Sequence, residues 1–496
     1  MRQSGILMHI TSLPGPYGVG TMGKSAYDFV DFLEKAGQSC WQILPLSPTG
    51  YGDSPYQSFS AGAGNPYLID LDTLVSQGLL MAEEPAAVDW GDDPGRVSYG
   101  KLYAQRGKLL HTAFGRFTPD EDYEAFLAES AQWLPDYALF MALKEKHGGA
   151  PWLSWEEDLR LRREDALEKA RQENREEIRE EIRYQCFVQY EFRKQWRALR
   201  AYANGKGIRI IGDVPIYVPL DSADVWVNSE LFQLDETRHP EVVAGCPPDG
   251  FTADGQLWGN PIYDWQAMAE TGYGWWIHRL AAAAHMYDVV RFDHFRGFES
   301  YWAVPAGDKT ARNGTWVKGP GIDFIRAVQK ALPELDFIAE DLGFVTPGVR
   351  KLLEDSGYPG MKVLEFAFDS REESDYLPHL YPVDSVCYTG THDNVTLKQW
   401  FDEASRQDKA YAKAYLGLSR QEGYVWGMIR GGMSSVSKLF IAQMQDYLEL
   451  GGEARMNFPG TLSAANWTWR AQPGFDSDRL AKKIRKMTGL YGRLKK

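Results

Sequence analysis

The chain has 496 residues, of which 44% are hydrophobic, and it carries a formal net charge of −14. This length is enough for one large hydrophobic core or for several smaller ones. The acidic balance excludes a nucleic acid or another polyanion as the main partner, because such partners require a basic surface, and it favours a neutral substrate.

The sequence carries no membrane or export signal. No apolar run approaches the ~20 residues needed to cross a bilayer, and the first residues lack the apolar region and cleavage site of a signal peptide. We therefore expect a cytoplasmic protein. The four cysteines lack CxxC pairing and a neighbouring His cluster, and are predicted to be reduced, buried thiols: Cys40, Cys186, Cys246 and Cys387.

Short apolar segments that end in a polar residue recur along the chain. Most are near-continuous hydrophobic runs, which are typical of strands covered on both faces in a parallel sheet. Helical patterns lie between them, such as 25–36 before Gly37, and a helix begun by Thr346 and Pro347 and closed by Gly357. The eight candidate strands are 6–12, 40–47, 208–215, 287–294, 335–343, 361–369, 386–393 and 454–460.

Eight alternating units predict an α/β fold, a (β/α)₈ TIM barrel spanning residues 1–496 as a single catalytic unit. Two intervals are too long for simple crossovers: 60–185 between strands 2 and 3, and 217–285 between strands 3 and 4. Both are predicted to be inserted subdomains, the first mainly helical. Within it, the charged stretch 156–185 has many Glu/Arg pairs at i,i+4 and predicts an exposed helix. A terminal helix over 476–495 and no C-terminal β-sandwich are expected.

Three carboxylates close predicted strands. Asp293, Glu340 and Asp393 end the fourth, fifth and seventh candidates, so a barrel would bring them to one mouth. Cleavage of a glycosidic bond needs this equipment: a protonated acid for the leaving oxygen and an ionised carboxylate for the anomeric carbon. Binding of Mg²⁺ is the competing interpretation. The flanking Arg291 and histidines are potential cations or donors that suit an anionic nucleophile better.

Sequence blocks around these acids resemble the α-amylase superfamily: GDVPIYV (212–218), RFDHFRG (291–297), AEDLG (339–343) and TGTHDN (389–394). More narrowly, the chain resembles the 4-α-glucanotransferases (amylomaltase or disproportionating enzyme) of glycoside hydrolase family 77. That likeness rests on SLPGPYGVG (12–20), residues 41–70, DSADVW (221–226), residues 244–265 and RMNFPGT (455–461).

The resemblance implies a role for each candidate site residue. Asp293 would be the nucleophile, Glu340 the general acid and then base, and Asp393 the residue that binds ring hydroxyls. The expected substrate-binding residues are Tyr56, Asp213, Arg291, His294 and His392 around the sugar at the cleavage point, with Ser54, Trp258, Asp369 and Asn457 as further glucan contacts. No metal or cofactor is implied, because glycosyl exchange is redox-neutral.

The implied activity is transfer of an α-1,4-glucan segment to the 4-OH of an acceptor glucan or glucose, by a retaining mechanism that also allows cyclisation to cycloamyloses. Residues 244–259, rich in Gly, Pro and Asp, predict a long loop at the barrel mouth, and the resemblance implies that this loop is a lid that encloses the glucan chain. Expected substrates are maltooligosaccharides, amylose, and starch or glycogen dextrins. The alternatives are an α-1,4-glucan hydrolase and a non-catalytic glucan-binding module on the same fold.

Overall fold

The computed structural model describes residues 2–173, 175–248 and 252–495. Its strands, in chain order, are β1 (Gln3–Leu7), β2 (Cys40–Gln42), β3 (Arg209–Val214), β4 (Val242–Cys246), β5 (Gln256–Pro261), β6 (Val289–Phe292), β7 (Ser300–Pro305), β8 (Thr315–Lys318), β9 (Asp336–Ala339), β10 (Gly360–Val363), β11 (Ser385–Tyr388) and β12 (Leu439–Gln443).

Eight parallel strands of the described chain close into a barrel, in the order β1, β2, β3, β6, β9, β10, β11 and β12, with β12 pairing back to β1. Their residues are almost all buried, as expected for strands covered by side chains inside and by helices outside. The predicted (β/α)₈ barrel is confirmed. Seven of the eight candidate strands overlap the barrel strands, although the first begins at Gln3 rather than residue 6.

The eighth candidate strand, 454–460, is wrong. The last barrel strand is β12, and 454–460 is irregular chain at the barrel mouth after a short 3₁₀ turn, Gly452–Ala454. Arg455 and Asn457 in that segment use their polar groups in side-chain hydrogen bonds rather than in a strand ladder. The apolar run of β12 passes directly into a helix at Met444, which hides its strand character in the sequence.

The helices surround the barrel and fill the connections between its strands. In chain order they are α1 (Lys24–Lys35), α2 (Leu71–Ser76), α3 (Glu83–Ala86), α4 (Tyr99–Arg116), α5 (Glu121–Glu129), α6 (Leu134–Lys146), α7 (Glu157–Arg160), α8 (Glu164–Glu173), α9 (Arg175–Gly205), α10 (Ala223–Val227), α11 (Trp265–Glu270), α12 (Gly274–Met286), α13 (Gly321–Ala331), α14 (Pro347–Ser356), α15 (Leu397–Glu403), α16 (Arg406–Leu416), α17 (Tyr424–Ser434), α18 (Met444–Tyr447) and α19 (Asp478–Leu490).

Local sequence explains several of these boundaries. The Thr346 hydroxyl accepts the N–H of Val349 at the start of α14, and Gly357 ends that helix with φ of +68°, as its sequence predicted. Helix α1 buries the face predicted for 25–36, and α19 packs against α1. Within the described ranges, no helix is long and apolar enough to cross a membrane.

The two long connections differ in character. Between β2 and β3 the chain forms α2–α9, and the predicted exposed helix 156–185 is divided among α7, α8 and the start of α9, with residue 174 outside the described residues. Between β3 and β6 the chain forms α10, α11, α12 and the antiparallel pair β4–β5. This pair joins β7 and β8, which follow β6, in a sheet of order β5-β4-β7-β8 among the described strands. The sequence did not predict this sheet.

The prediction of a long loop over 244–259 is wrong in part. Its two ends lie on the antiparallel strands β4 and β5, and residues 249–251 lie outside the described residues. The prediction of buried thiols holds for Cys40 and Cys387, whereas Cys186 and Cys246 are only partly buried.

Candidate active site

The backbone fixes two of the predicted acids at the carboxyl ends of neighbouring strands. Asp293 directly follows β6, and its N–H donates to the carbonyl of Val214, the last residue of β3, at 3.1 Å. Glu340 directly follows β9, and its N–H donates to the carbonyl of Phe292 at 3.0 Å. Each acid therefore extends the parallel ladder by one residue, and both side chains emerge at the same mouth.

A buried arginine links Asp293 to a second aspartate. Arg291 lies on β6 in register with Asp213 on β3. Its Nη1 lies 2.6 and 2.8 Å from the two Asp213 carboxylate oxygens and 3.0 Å from Asp293 Oδ1. The Tyr56 hydroxyl donates to Asp213 Oδ2 at 2.7 Å. One guanidinium thus holds two carboxylates, and an aromatic ring is anchored beside them.

Backbone N–H groups orient the carboxyl group of Glu340. The His294 N–H donates to Oε2 at 2.7 Å, and the Leu342 N–H donates to Oε1 at 3.1 Å. His294 can reach Glu340 because its backbone is left-handed, with φ of +50°, which is uncommon for a residue other than glycine. The turn after Asp293 therefore points a backbone donor at the second acid.

Burial and neighbouring charge shift the pKa values of both acids upward. Burial is the main cause of the raised pKa of Asp293; Arg291 opposes it, and the negative charges of Asp213 and Asp393 add to it. Burial likewise raises the pKa of Glu340, with Arg291 opposing it and Asp293 adding to it. Two mutually repelling carboxyl groups hold one proton more readily than they ionise together.

The third acid, Asp393, lies in the turn after β11 and is held by a separate segment. Asn457 Nδ2 donates to Asp393 Oδ1 at 2.6 Å, and Arg455 Nη2 donates to the Asp393 carbonyl at 2.8 Å. Arg455 Nε also donates to the carbonyl of Asn457 at 2.8 Å. Arg455 therefore joins the turn that carries Asp393 to the irregular segment 454–460.

Aromatic rings form the walls beside these acids. The Tyr56 and His392 rings stack with centroids 5.1 Å apart and planes 15° apart, and Trp467 lies 5.9 Å from the His392 ring. On the other side, Trp258 of β5 meets the His294 ring edge to face at 4.8 Å. The walls leave flat apolar surface next to polar groups, which suits the mixed surface of a sugar ring.

The histidines do not contribute the positive charge that the sequence allowed for. Burial lowers the pKa of His294 to about 3 and also lowers the pKa of His392. Both rings are therefore neutral near pH 7, and Arg291 is the cation in contact with Asp293. Within residues 2–173, 175–248 and 252–495, no group of three or more His, Cys, Asp or Glu side chains is placed to hold a metal ion.

The structure brings most of the predicted site residues together. Ser54 lies at the edge, where its hydroxyl accepts the N–H of Tyr56 at 3.3 Å. Asp369 lies outside the network: it follows β10 and pairs with Arg371, which lowers its pKa to about 2. The residues joined directly or through one neighbour are Tyr56, Asp213, Trp258, Arg291, Asp293, His294, Glu340, His392, Asp393 and Asn457.

The sequence did not reveal two side chains of the site, Arg455 and Trp467, or two backbone donors, the N–H groups of His294 and Leu342. Arg455 lies in the block RMNFPGT (455–461), but the sequence does not show that its side chain donates to the Asp393 carbonyl. Trp467 lies outside the sequence blocks that carry the family resemblance. Its backbone is left-handed, with φ of +64°, and the neighbouring sequence does not mark this conformation. The Leu342 N–H is a main-chain group and carries no residue-type signature at all.

A parallel barrel whose mouth holds paired carboxyl groups among aromatic walls defines an enzyme that acts on glycosidic bonds. Residues 8–476 match the family described as 4-alpha-glucanotransferase, glycoside hydrolase family 77. The chain belongs to that family of glycosyltransferases, as its sequence blocks indicated.

Two relatives and a solved structure agree with this family assignment. The 4-alpha-glucanotransferase of Clostridium butyricum is 49% identical over 98% of this chain and 100% of the relative. That of Streptococcus pneumoniae serotype 4 is 50% identical over 99% of this chain and 98% of the relative. The structure of amylomaltase from Streptococcus agalactiae in complex with acarbose superposes with a TM-score of 0.96 at 42% identity, covering 100% of both chains.

Proposed function

We propose that this 4-α-glucanotransferase works by a retaining double displacement, with Asp293 as nucleophile and Glu340 as acid and base. In the first step an Asp293 carboxylate oxygen attacks the anomeric carbon, the bond from that carbon to O4 of the next glucose breaks, and the Glu340 proton passes to the leaving O4. In the second step Glu340 takes the proton of an acceptor 4-OH, whose oxygen displaces Asp293. Two inversions on one carbon give net retention.

The observation that carries these roles is the asymmetry of contacts around the two acids. Arg291 lies 3.0 Å from Asp293 and favours its ionised form, as a nucleophile requires. Burial and the negative charge of Asp293 raise the pKa of Glu340, and they outweigh Arg291 and the two backbone N–H donors, which lower it. The proton then belongs on Glu340, where the leaving oxygen needs it.

The remaining site residues take roles in binding. Asp393, fixed by Asn457, accepts hydrogen bonds from ring hydroxyls as the sugar distorts. Tyr56 offers its ring to the sugar at the cleavage point while its hydroxyl, bonded to Asp213, keeps the ring in place. His294 and His392 present neutral nitrogens to hydroxyl groups.

Transfer rather than hydrolysis requires that an acceptor sugar reach the glycosyl-enzyme in place of water. Trp258 on the β4–β5 hairpin stands against His294, next to Asp293, so the hairpin adds an aromatic surface for an acceptor glucan or glucose. An acceptor sugar bound on this surface is held close to the glycosyl-enzyme, which a sugar free in dilute solution is not. When the acceptor is the far end of the same chain, the product is a cycloamylose.

The cytoplasmic location expected from the sequence stays a prediction.

The test incubates the purified protein with maltotriose and follows free glucose, longer maltodextrins and total reducing ends. Transfer predicts that glucose and longer chains rise while reducing ends stay constant. A matching rise in reducing ends would identify a hydrolase, and unchanged substrate would support a non-catalytic glucan-binding module. Asp293→Asn removes the nucleophile with little change of shape and should abolish all products; surviving activity would refute the assignment.

A further inference from the structure

Two exposed aromatic side chains lie beside the site and take no part in the mechanism above. Phe344 lies in the loop after Glu340 and is 72% exposed, and Trp316 on β8 is 40% exposed. Single exposed hydrophobic residues are ordinary on protein surfaces, so neither residue alone points to a ligand. Their shared attachment to the acid-bearing turns does.

Arg296 contacts both residues, through the main chain of Phe344 and through the ring of Trp316. Its Nη1 donates to the Phe344 carbonyl at 2.6 Å, and its guanidinium carbon lies 3.9 Å from the centre of the Trp316 ring. Its Nη2 donates to Ser300 Oγ at 3.1 Å, and the whole residue is buried. Arg296 belongs to the short turn Phe295–Phe298 that directly follows His294. The Trp316 ring also packs against Trp302 at 5.1 Å, so the aromatic surface is held from two sides.

The position of this surface relative to Glu340 identifies which part of a glucan it would meet. Phe344 follows Glu340 by four residues, a length of chain that spans at most about 14 Å. Glu340 delivers its proton to the leaving oxygen, so the loop that continues from it borders the side of the site that holds the leaving group and, later, the acceptor. An acceptor longer than one glucose would then extend towards this loop.

We propose that Phe344 and Trp316 form an outer acceptor subsite, on which glucose residues of an α-1,4-glucan acceptor stack. This rests on the proposed function, since an acceptor subsite has meaning only for a transferase. A neutral sugar chain fits these two residues because both side chains are aromatic and exposed, and because the Arg296 charge is engaged by the Phe344 carbonyl, by Ser300 and by the Trp316 ring. The subsite favours long acceptors over glucose, which is too short to reach it.

The experiment measures acceptor KM as a function of acceptor length. Fluoride release from α-maltosyl fluoride is followed while glucose or maltohexaose is varied, for the wild type and Phe344→Ala. Loss of one stacking surface should raise KM for maltohexaose about three- to tenfold relative to KM for glucose. Phe344→Trp should restore the wild-type ratio, because it replaces one stacking face with another.

Two further variants control this experiment. Leu490→Ala removes a side chain of nearly equal exposure, 74%, and should leave the ratio of the two KM values unchanged. Leu490 ends α19, close to Arg493, which bonds the Gln3 carbonyl at the amino end of β1, and so lies at the opposite end of the barrel. Trp316→Phe keeps a ring over Arg296 and should lower the length preference less than Trp316→Ala, which tests the second half of the surface separately.

The outcomes separate this inference from the proposed function. An equal rise of KM for glucose and maltohexaose in Phe344→Ala, or no change in either, would overturn the outer subsite while leaving the transferase intact. A change in oligomeric state without a change in acceptor KM would assign the aromatics to self-association instead, and would also overturn it. Fluoride release by the wild type that neither acceptor accelerates would instead contradict the transferase mechanism itself.

Discussion

Replacing Arg291 by methionine isolates its charge from its bulk. The guanidinium lies 3.0 Å from an Asp293 oxygen. For unit charges about 4 Å apart at an effective dielectric constant of about 20, the attraction is about 4 kcal/mol, or about 3 pKa units. This is an upper value, because Asp213 shares the same cation.

The loss of that cation has a defined sign. Burial already raises the pKa of Asp293, and without Arg291 it rises further, so the carboxyl group stays protonated to higher pH. The nucleophile must be ionised. The acid limb of the pH profile of kcat/KM should therefore move to higher pH by up to about 3 units, and activity at pH 7 should fall by up to about 10³-fold.

The assay is the initial rate of transfer from maltotriose between pH 5 and pH 9 for the wild type, Arg291→Met and Arg291→Lys. Arg291→Lys keeps the charge and should keep most of the acid limb in place. Removing one partner of a buried ion pair costs about 3 to 5 kcal/mol of stability, so the double variant Arg291→Met/Asp213→Asn serves if the single one fails to fold. An acid limb of Arg291→Met that coincides with the wild type would show that Arg291 does not set the pKa of Asp293.

Three further variants test other contacts of the site. Asp293→Asn should melt on the order of 2 to 4 °C above the wild type at pH 8, with a smaller gain at pH 5. The reason is that the wild type, whose Asp293 has a raised pKa in the folded state, loses stability as the pH rises through that pKa. An equal gain in melting temperature at both pH values would contradict the raised pKa. Asn457→Ala should lower kcat/KM by up to about 10²-fold, because Asp393 loses the hydrogen bond that positions it. The free energy of unfolding, measured by urea titration, should change by only about 1 kcal/mol. Wild-type kinetics in this variant would show that the hydrogen bond from Asn457 does not position Asp393. Trp258→Ala should raise KM for maltotriose by up to about tenfold, and a fall in kcat alone would argue against a binding role.

The barrel could be predicted from sequence because its strands carry a strong local signal. Runs such as those of β3 and β6 are mostly apolar and carry charged residues towards their carboxyl ends, and helix α14, between β9 and β10, is capped by Thr346 and Gly357. The last strand escaped because β12 continues into α18 without a turn residue, and short apolar runs do not reveal their own period.

The second sheet could not be predicted because its partners are far apart in sequence. Strands β4 and β5 precede β6, whereas β7 and β8 follow it, and only the closed barrel brings these two connections side by side. The Gly and Pro residues of 244–259 favour a loop, and they gave no sign that both flanks would find an antiparallel partner.

The site divides in the same way. The three acids were found because strand ends converge in a barrel, which is a property of the fold. Their partners depend on three-dimensional contact: Arg455 reaches Asp393 across 62 residues of sequence, and the left-handed turn at His294 supplies a main-chain donor. Such contacts have no local pattern, so sequence motifs identify the acids better than the groups that orient them.

The proposed mechanism requires a covalent glycosyl intermediate on Asp293. The most direct test incubates Glu340→Gln with α-maltosyl fluoride, whose fluoride leaves without protonation while the missing base slows release of the sugar. We expect an increase in intact protein mass by one maltosyl group, located by peptide mapping on Asp293. No adduct, or an adduct on any other residue, would contradict it.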